Sequence, residues 1–320
     1  MNIRCPSCSD HSTLTPDLVV CRQCGRQFRD ASGMFDFVDS ADRAEEKGFY
    51  DQAYVGRRQE SCAKQTVESV LPIWDLPDRP ENRIVLEQLG DLSGKKVLLL
   101  GNGESLKELL FLTMDPAHLV YSDLSTHALM NICDRFELDQ FQNQLTFAAI
   151  DAHDIPFSSN TFDVIYGFAM VHHLPDLDRF LVSVNRALKP GGYTVFMDDA
   201  YAPIWHYSKQ TWLKPLMKLS HKKTGISPED YRFSMSGGFR EVDLGKKIRR
   251  AGGEPWFVRA AFFNYLFYRG AEKLLPQRLN RMLRKETISK AVRVLDRWLC
   301  KLPLLRRNQI RLIWGFTKRP

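Results

Sequence analysis

Phe162-Asp163-Val164-Ile165-Tyr166-Gly167-Phe168-Ala169-Met170-Val171-His172-His173-Leu174-Pro175-Asp176, followed by Leu188-Lys189-Pro190-Gly191-Gly192-Tyr193, is the stretch that decides the fold. The run from Phe162 to Gly167 reads as a buried strand, with Phe168-Ala169-Met170 at its tip. His172 and His173 fall on the loop beyond it. Leu177, Leu181, Val184 and Leu188 share one face of an amphipathic helix, which Lys189-Pro190-Gly191-Gly192 stops. Tyr193-Thr194-Val195-Phe196-Met197 is the next strand and ends at Asp198-Asp199. Strand, helix and strand in this order predict an α/β sheet, with ligands at the carboxyl ends of its strands.

The same pattern extends upstream. Lys96-Val97-Leu98-Leu99-Leu100 is a short continuous apolar run that enters Gly101-Asn102-Gly103-Glu104-Ser105. A helix follows, with Leu106, Leu109, Leu110 and Thr113 on one side. Strand, Gly-x-Gly and helix form a nucleotide crevice: one glycine makes the turn, and a second lets backbone approach the ligand. His118-Leu119-Val120-Tyr121 is the second strand and leads to Asp123 and Leu124. Asp123 lies twenty residues after Gly103, where an acid accepts hydrogen bonds from ribose hydroxyls. The third strand, Leu145–Ile150, ends in Asp151-Ala152-His153-Asp154-Ile155-Pro156-Phe157. Either acid, taken alone, also suits a helix N-cap.

Together these motifs, over residues 90–260, resemble the class I S-adenosylmethionine-dependent methyltransferases, in the His-His-Leu branch that acts mostly on small molecules. The resemblance implies a Rossmann-like sheet of seven strands, the last antiparallel and placed at Ile310–Phe316. It also implies that Gly101, Asn102, Gly103, Asp123 and Leu124 hold the cofactor. Asp151, with Ala152 beside it, contacts adenine, because Asp151–Phe157 resembles the family's Asp-Ala-x-x-Leu-Pro-Phe. Phe168 then flanks the sulfonium. Methyl transfer needs an aligned nucleophile and, where necessary, removal of its proton. His172 or His173 can do that at neutral pH, or can serve instead as a loop-orienting hydrogen-bonding group. Asp198 is the second candidate. The chain departs from the family at Leu99, where an acid is usual, and at Ser105, where a third glycine is usual. Those departures pass the methionine end of the cofactor to Asn102 or Glu104.

Cys5, Cys8, Cys21 and Cys24 make two C-x₂-C pairs twelve residues apart. Two such knuckles complete a tetrahedral S₄ site, the geometry zinc prefers in a closed structural role. About 35 residues cannot bury enough apolar surface to fold without that help. The module resembles the small zinc ribbons fused to, or partnered with, several methyltransferases. The expected organisation is a ribbon over 1–40, a helical linker or lid over 41–90, and the methyltransferase domain over 91–320. Tyr50 and Tyr54 in the linker either fold over the cofactor or simply pack.

The chain has 320 residues, 44% hydrophobic and 26% charged, as expected for a folded soluble protein. It has no apolar run long enough to span a bilayer and no leading apolar h-region, so a cytoplasmic location is expected. Its net charge of +7 is divided unevenly. Residues 1–200 carry 18 Lys/Arg against 30 Asp/Glu (−12), while residues 201–320 carry 27 against 8 (+19). The basic C-terminal third holds two insertions, at about 200–238 and 262–308. The first carries Trp205, His206, Tyr207 and Tyr231 as possible walls for an acceptor. In the second, Ile288, Val292, Leu295 and Leu299 recur at helical spacing beside Lys290, Arg293, Arg297 and Lys301. That helix suits an anionic membrane face or packing on its own domain. The expected activity is methylation of an O or C atom of a small or lipid-like metabolite. The alternatives are an rRNA or tRNA methyltransferase that uses the ribbon and basic tail for RNA, and a non-catalytic binding protein.

Overall fold

Val97, Leu98, Leu99 and Leu100 are all buried, because both faces of their strand are covered. Val97 and Leu99 point into one apolar layer, and Leu98 and Leu100 into the other. The computed structural model describes residues 2–13, 20–29, 34–38, 41–55, 63–76, 79–203, 238–260, 267–268, 271, 275–299 and 301–320. The acceptor-wall candidates Trp205, His206, Tyr207 and Tyr231 and part of the second insertion, 262–266, lie outside them.

A two-stranded ladder of β1 (Asn2–Arg4) and β2 (His11–Thr13) opens the chain. The main sheet contains β3 (Phe35–Asp36), β4 (Lys96–Leu100), β5 (His118–Asp123), β6 (Leu145–Ala149) and β7 (Phe162–Phe168). β8 (Leu188–Asp199), β9 (Gly253–Ala260) and β10 (Arg311–Lys318) complete it. Their order is β3-β6-β5-β4-β7-β8-β10-β9. β10 runs antiparallel to both β8 and β9, and the pairs from β3 to β8 are parallel.

The sheet therefore has eight strands, one more than expected. The extra strand comes from the cysteine-bearing N-terminal segment, whose Phe35 and Asp36 add to the edge of β6 opposite Ala148 and Ala149. Ile3, Phe28, Phe35 and Phe37 then share the main core with Phe157 and Phe162. Three further details differ from the sequence reading. The element after the glycine loop is a 3₁₀ helix, Lys107–Met114, with Leu109, Phe111 and Leu112 buried and Thr113 exposed. β8 begins at Leu188, so Pro190-Gly191-Gly192 sits within the strand, where a bulge shifts the register between Phe162 and Val164. On the C-terminal helix Leu295 faces solvent.

The helices used below are α1 (Ala41–Val55), α2 (Pro80–Leu89), α3 (Thr126–Arg135), α4 (Leu177–Ala187), α5 (Glu241–Arg250), α6 (Gln277–Leu283) and α7 (Glu286–Leu299). α4 buries Phe180, Leu181 and Val184, each worth about 1.5–3 kcal/mol of transfer free energy. Asp176 caps α4, accepting from the Arg179 amide at 2.9 Å.

Candidate functional site

A half-open cleft of about 270 Å³ lies at the carboxyl ends of β4, β5 and β7. The glycine loop forms its floor. Gly101 and Gly103 have φ of +59° and +53°, a region that L side chains rarely occupy. A Cβ on Gly101 would lie 2.8 Å from Met170 Cβ, and one on Gly103 would lie 2.7 Å from the Tyr54 hydroxyl. Any side chain at these positions would intrude on the loop's neighbours.

Asp123 organises the loop from the tip of β5. Its carboxylate accepts from the Gly103 amide at 2.6 Å and from the Ser125 amide at 2.9 Å. Burial raises its pKa, opposed by those amides. Asn102 is 5% exposed, and neither polar atom of its side chain has a hydrogen-bond partner among the described residues. Glu104, the alternative to Asn102 in the sequence reading, is already engaged by the Asn131 amide of α3. Ser105, in place of a third glycine, donates to Glu108 at 2.5 Å.

Leu124, Ala152 and Phe168 also line the cleft. Asp151 sits just behind it, accepting from the His153 amide at 3.0 Å, with His153 Nδ1 at 2.8 Å. Burial would raise the Asp151 pKa, but the His153 bonds and the Arg43 charge outweigh it and lower the value. Sequence reading missed Arg43 and Glu46. Both lie on α1, line the cleft and pair with each other; Arg43 Nε is also 3.5 Å from Asp151. Their only signal was i,i+3 spacing in a polar helix, which is too common to single them out. Tyr50 and Tyr54, one and two turns further along, line the same wall.

Residues 98–196 match the methyltransferase domain family. The chain is 31% identical over 192 residues to phthiotriol/phenolphthiotriol dimycocerosates methyltransferase 2 of Mycobacterium ulcerans, covering 58% of this chain and 69% of that protein. It is 34% identical over 189 residues to the ubiquinone/menaquinone biosynthesis C-methyltransferase of Methylococcus capsulatus, covering 58% and 75%. A chain from the Haloferax volcanii complex between a methyltransferase activator and a methyltransferase superposes with a TM-score of 0.53 at 15% identity. That superposition covers 85% of this chain and 98% of the other, and it establishes the shared fold. The protein is an S-adenosylmethionine-dependent methyltransferase.

Next to the cleft but outside its lining, the methyltransferase joins two of its candidate catalytic residues. His172 Nδ1 lies 2.9 Å from Asp198 Oδ1, and Trp314 Nε1 donates to Asp198 Oδ2 at 3.2 Å. Burial would lower the His172 pKa, but the hydrogen bond and charge of Asp198 hold it above the ordinary value of 6.5. The His173 ring packs against His172, tilted by 40° with centroids 4.2 Å apart, and it is His173 that lines the cleft. Between Phe168 and Met170, Ala169 is held at φ +54°, with its amide donating to Met197 O at 2.6 Å. That conformation costs about 1–2 kcal/mol for an L residue, a strain typical of functional sites.

Away from the cleft, Cys5, Cys8, Cys21 and Cys24 place their sulfurs within 4.8 Å of one another. The Cys5–Cys24 and Cys8–Cys21 separations are 3.7 and 3.6 Å. Four thiolates about 2.3 Å from one ion would be spaced about 3.8 Å apart, so the set fits tetrahedral zinc. Cys5 and Cys21 are buried in the main core, and Arg4 ties the module to Asp154 on the loop after Asp151.

Proposed function

We propose that this cleft holds S-adenosylmethionine and that the enzyme methylates an O or C atom of a small or lipid-like metabolite. The cleft lined by Gly101, Gly103 and Asp123 carries that reading, with the adjoining His172–Asp198 pair as the proposed base. Asp198 takes up Nδ1 and leaves Nε2 for the proton of a hydroxyl or an acidic carbon. When bound, the sulfonium supplies an already activated methyl group, so the chain need only align the acceptor and remove that proton. Asp123 would accept from the ribose hydroxyls, Ala152 with Asp151 behind it would form the adenine end, and Asn102 would meet the methionine end. Gly101 and Gly103 let the backbone come close, Leu124 flanks the ribose, and Phe168 closes the sulfonium side. The relatives named above act on a phthiotriol-type dimycocerosate and on ubiquinone or menaquinone precursors, which supports an extended apolar acceptor. Cys5, Cys8, Cys21 and Cys24 would hold a structural Zn²⁺ within a ribbon over residues 1–40. Residues 41–90 would act as linker and lid, and 91–320 as the catalytic domain.

The test has two arms: calorimetric titration with S-adenosylmethionine, and labelled-methyl transfer to a panel of hydroxylated lipids and quinols. The reading predicts heat of binding, transfer to at least one class, and loss of transfer but not of binding in His172→Gln. Turnover unchanged by His172→Gln would remove the assigned base. Transfer to a nitrogen acceptor alone would remove the substrate class.

A further inference from the structure

The C-terminal helix α7 divides into three sectors. At about 100° per residue, Ile288, Ser289, Val292, Asp296 and Leu299 cluster on one side. Ser289, Val292 and Asp296 are buried, so this side faces the protein. Ala291, Val294, Leu295 and Trp298 recur at i, i+3, i+4 and i+7, and Leu302 continues the stripe just past the helix end. This second side is apolar and faces solvent: Val294 is 66% exposed, Trp298 61% and Leu302 45%. Lys290, Arg293 and Lys301 occupy the third sector, beside the apolar stripe. α6 repeats the arrangement, with exposed Leu279 and Met282 next to Arg278 and Arg281.

An exposed tryptophan with a row of aliphatic side chains is not accounted for by packing on the domain, because α7 packs through a different sector. Residues 275–307 contain ten Lys/Arg and two Asp/Glu, and one of those acids, Asp296, is buried. Where α7 ends, a cavity of about 610 Å³ is lined by Arg259, Lys301 and Arg307, with Glu241 the one acid among the described residues that line it. Glu241 already lies 2.8 Å from Arg259 Nε. Lys301 follows directly on the apolar stripe, its amide donating to Trp298 O at 3.1 Å. Apolar stripe, basic flank and cationic cavity therefore meet at one end of one helix.

We infer that α6, α7 and the Arg259–Lys301–Arg307 cavity form a docking face for an anionic lipid bilayer. Trp298, Leu295 and Val294 enter the interface, the flanking cations lie over the headgroups, and the cavity accepts a headgroup phosphate. No helix among the described residues is long and apolar enough to cross a membrane. The face is separate from the methyl-transfer cleft, and its occupancy does not depend on which acceptor is methylated.

The test uses the full-length enzyme in co-sedimentation with phosphatidylcholine vesicles, with and without about one-third phosphatidylglycerol. Binding to the anionic vesicles and not to the neutral ones is expected, weakening as salt rises. The indole emission of the bound enzyme should shift to the blue, and that shift should be absent in Trp298→Phe. The variant Leu295→Ala/Trp298→Ala should lose vesicle binding, and Lys290→Glu/Lys301→Glu should weaken it by more than twentyfold, at about fivefold per cation. Both changes are at exposed positions, and calorimetric S-adenosylmethionine binding should be unchanged in each. Equal binding to neutral vesicles would overturn the inference. So would failure to bind vesicles with steeply salt-dependent binding to an RNA duplex, or a dimer in light scattering that Leu295→Ala/Trp298→Ala abolishes.

Discussion

Replacing Asn102 by leucine should stabilise the ligand-free enzyme while weakening its hold on S-adenosylmethionine. The Asn102 backbone is fixed, with its amide donating to Ser122 O at 3.3 Å and its carbonyl accepting from the Ser105 amide at 2.9 Å. Its side-chain amide is buried with no partner among the described residues, and such a group costs about 1–3 kcal/mol. Leucine has a similar branched shape and no polar atoms, so most of that cost is relieved. An unfolding entropy of about 2.1 cal/mol/K per residue over a chain of this length converts about 2 kcal/mol into a rise of roughly 3 °C in Tm. A hydrogen bond to a charged cofactor group is worth about 1.5–3 kcal/mol, so Kd should rise roughly tenfold to a hundredfold. Differential scanning fluorimetry of the ligand-free protein and calorimetric titration measure the two quantities independently. A lower Tm with an unchanged Kd would refute the reasoning, since it would mean that the amide is satisfied within the protein.

Three further outcomes follow from the same geometry. Gly103→Ala should destabilise by about 1–2 kcal/mol for its left-handed backbone, and adding Tyr54→Phe should recover part of the loss by removing the hydroxyl that the new Cβ meets at 2.7 Å. The enzyme should lose kcat/KM on the acid side with an apparent pKa above 6.5, because His172 must be neutral to accept a proton. Asp198→Asn should move that limb downward and lower kcat by about 10²–10⁴. The same interaction makes a stability contribution that is full below the unfolded-state pKa and is lost as pH rises through the raised value, which chemical denaturation at several pH values would show. Chelation of metal should unfold the cysteine module and release β3 from the sheet edge. Circular dichroism should report that loss, zinc alone should restore it, and S-adenosylmethionine affinity should fall because Arg4 no longer steadies Asp154.

Much of the sheet was legible because buried parallel strands are continuous apolar runs and their crossover helices keep a 3.6-residue period. Asp123 was legible as a cleft acid because it ends a strand twenty residues after Gly103, whereas Asp151 was singled out only by the resemblance of Asp151–Phe157 to a family motif and lies behind the cleft. Arg43 and Glu46 were not, since their place in the cleft depends on how α1 crosses α3, and no local pattern encodes that crossing. The C-terminal helix shows the same limit. Periodicity placed Ile288, Val292, Leu295 and Leu299 together, yet burial divides them, leaving Leu295 with Trp298 on the open side.

By itself the sequence determined the alternation of strands and helices, the nucleotide crevice and the four-thiol cluster, because each rests on residue types at short, fixed spacings. Only the tertiary structure decided that Phe35 and Asp36 extend the sheet, that His172 belongs with Asp198 and Trp314, and that Asn102 is left without a partner among the described residues. Those outcomes join residues 26 to more than 100 positions apart. Their pairing is set by which buried polar groups find partners once the two apolar layers have closed on the sheet.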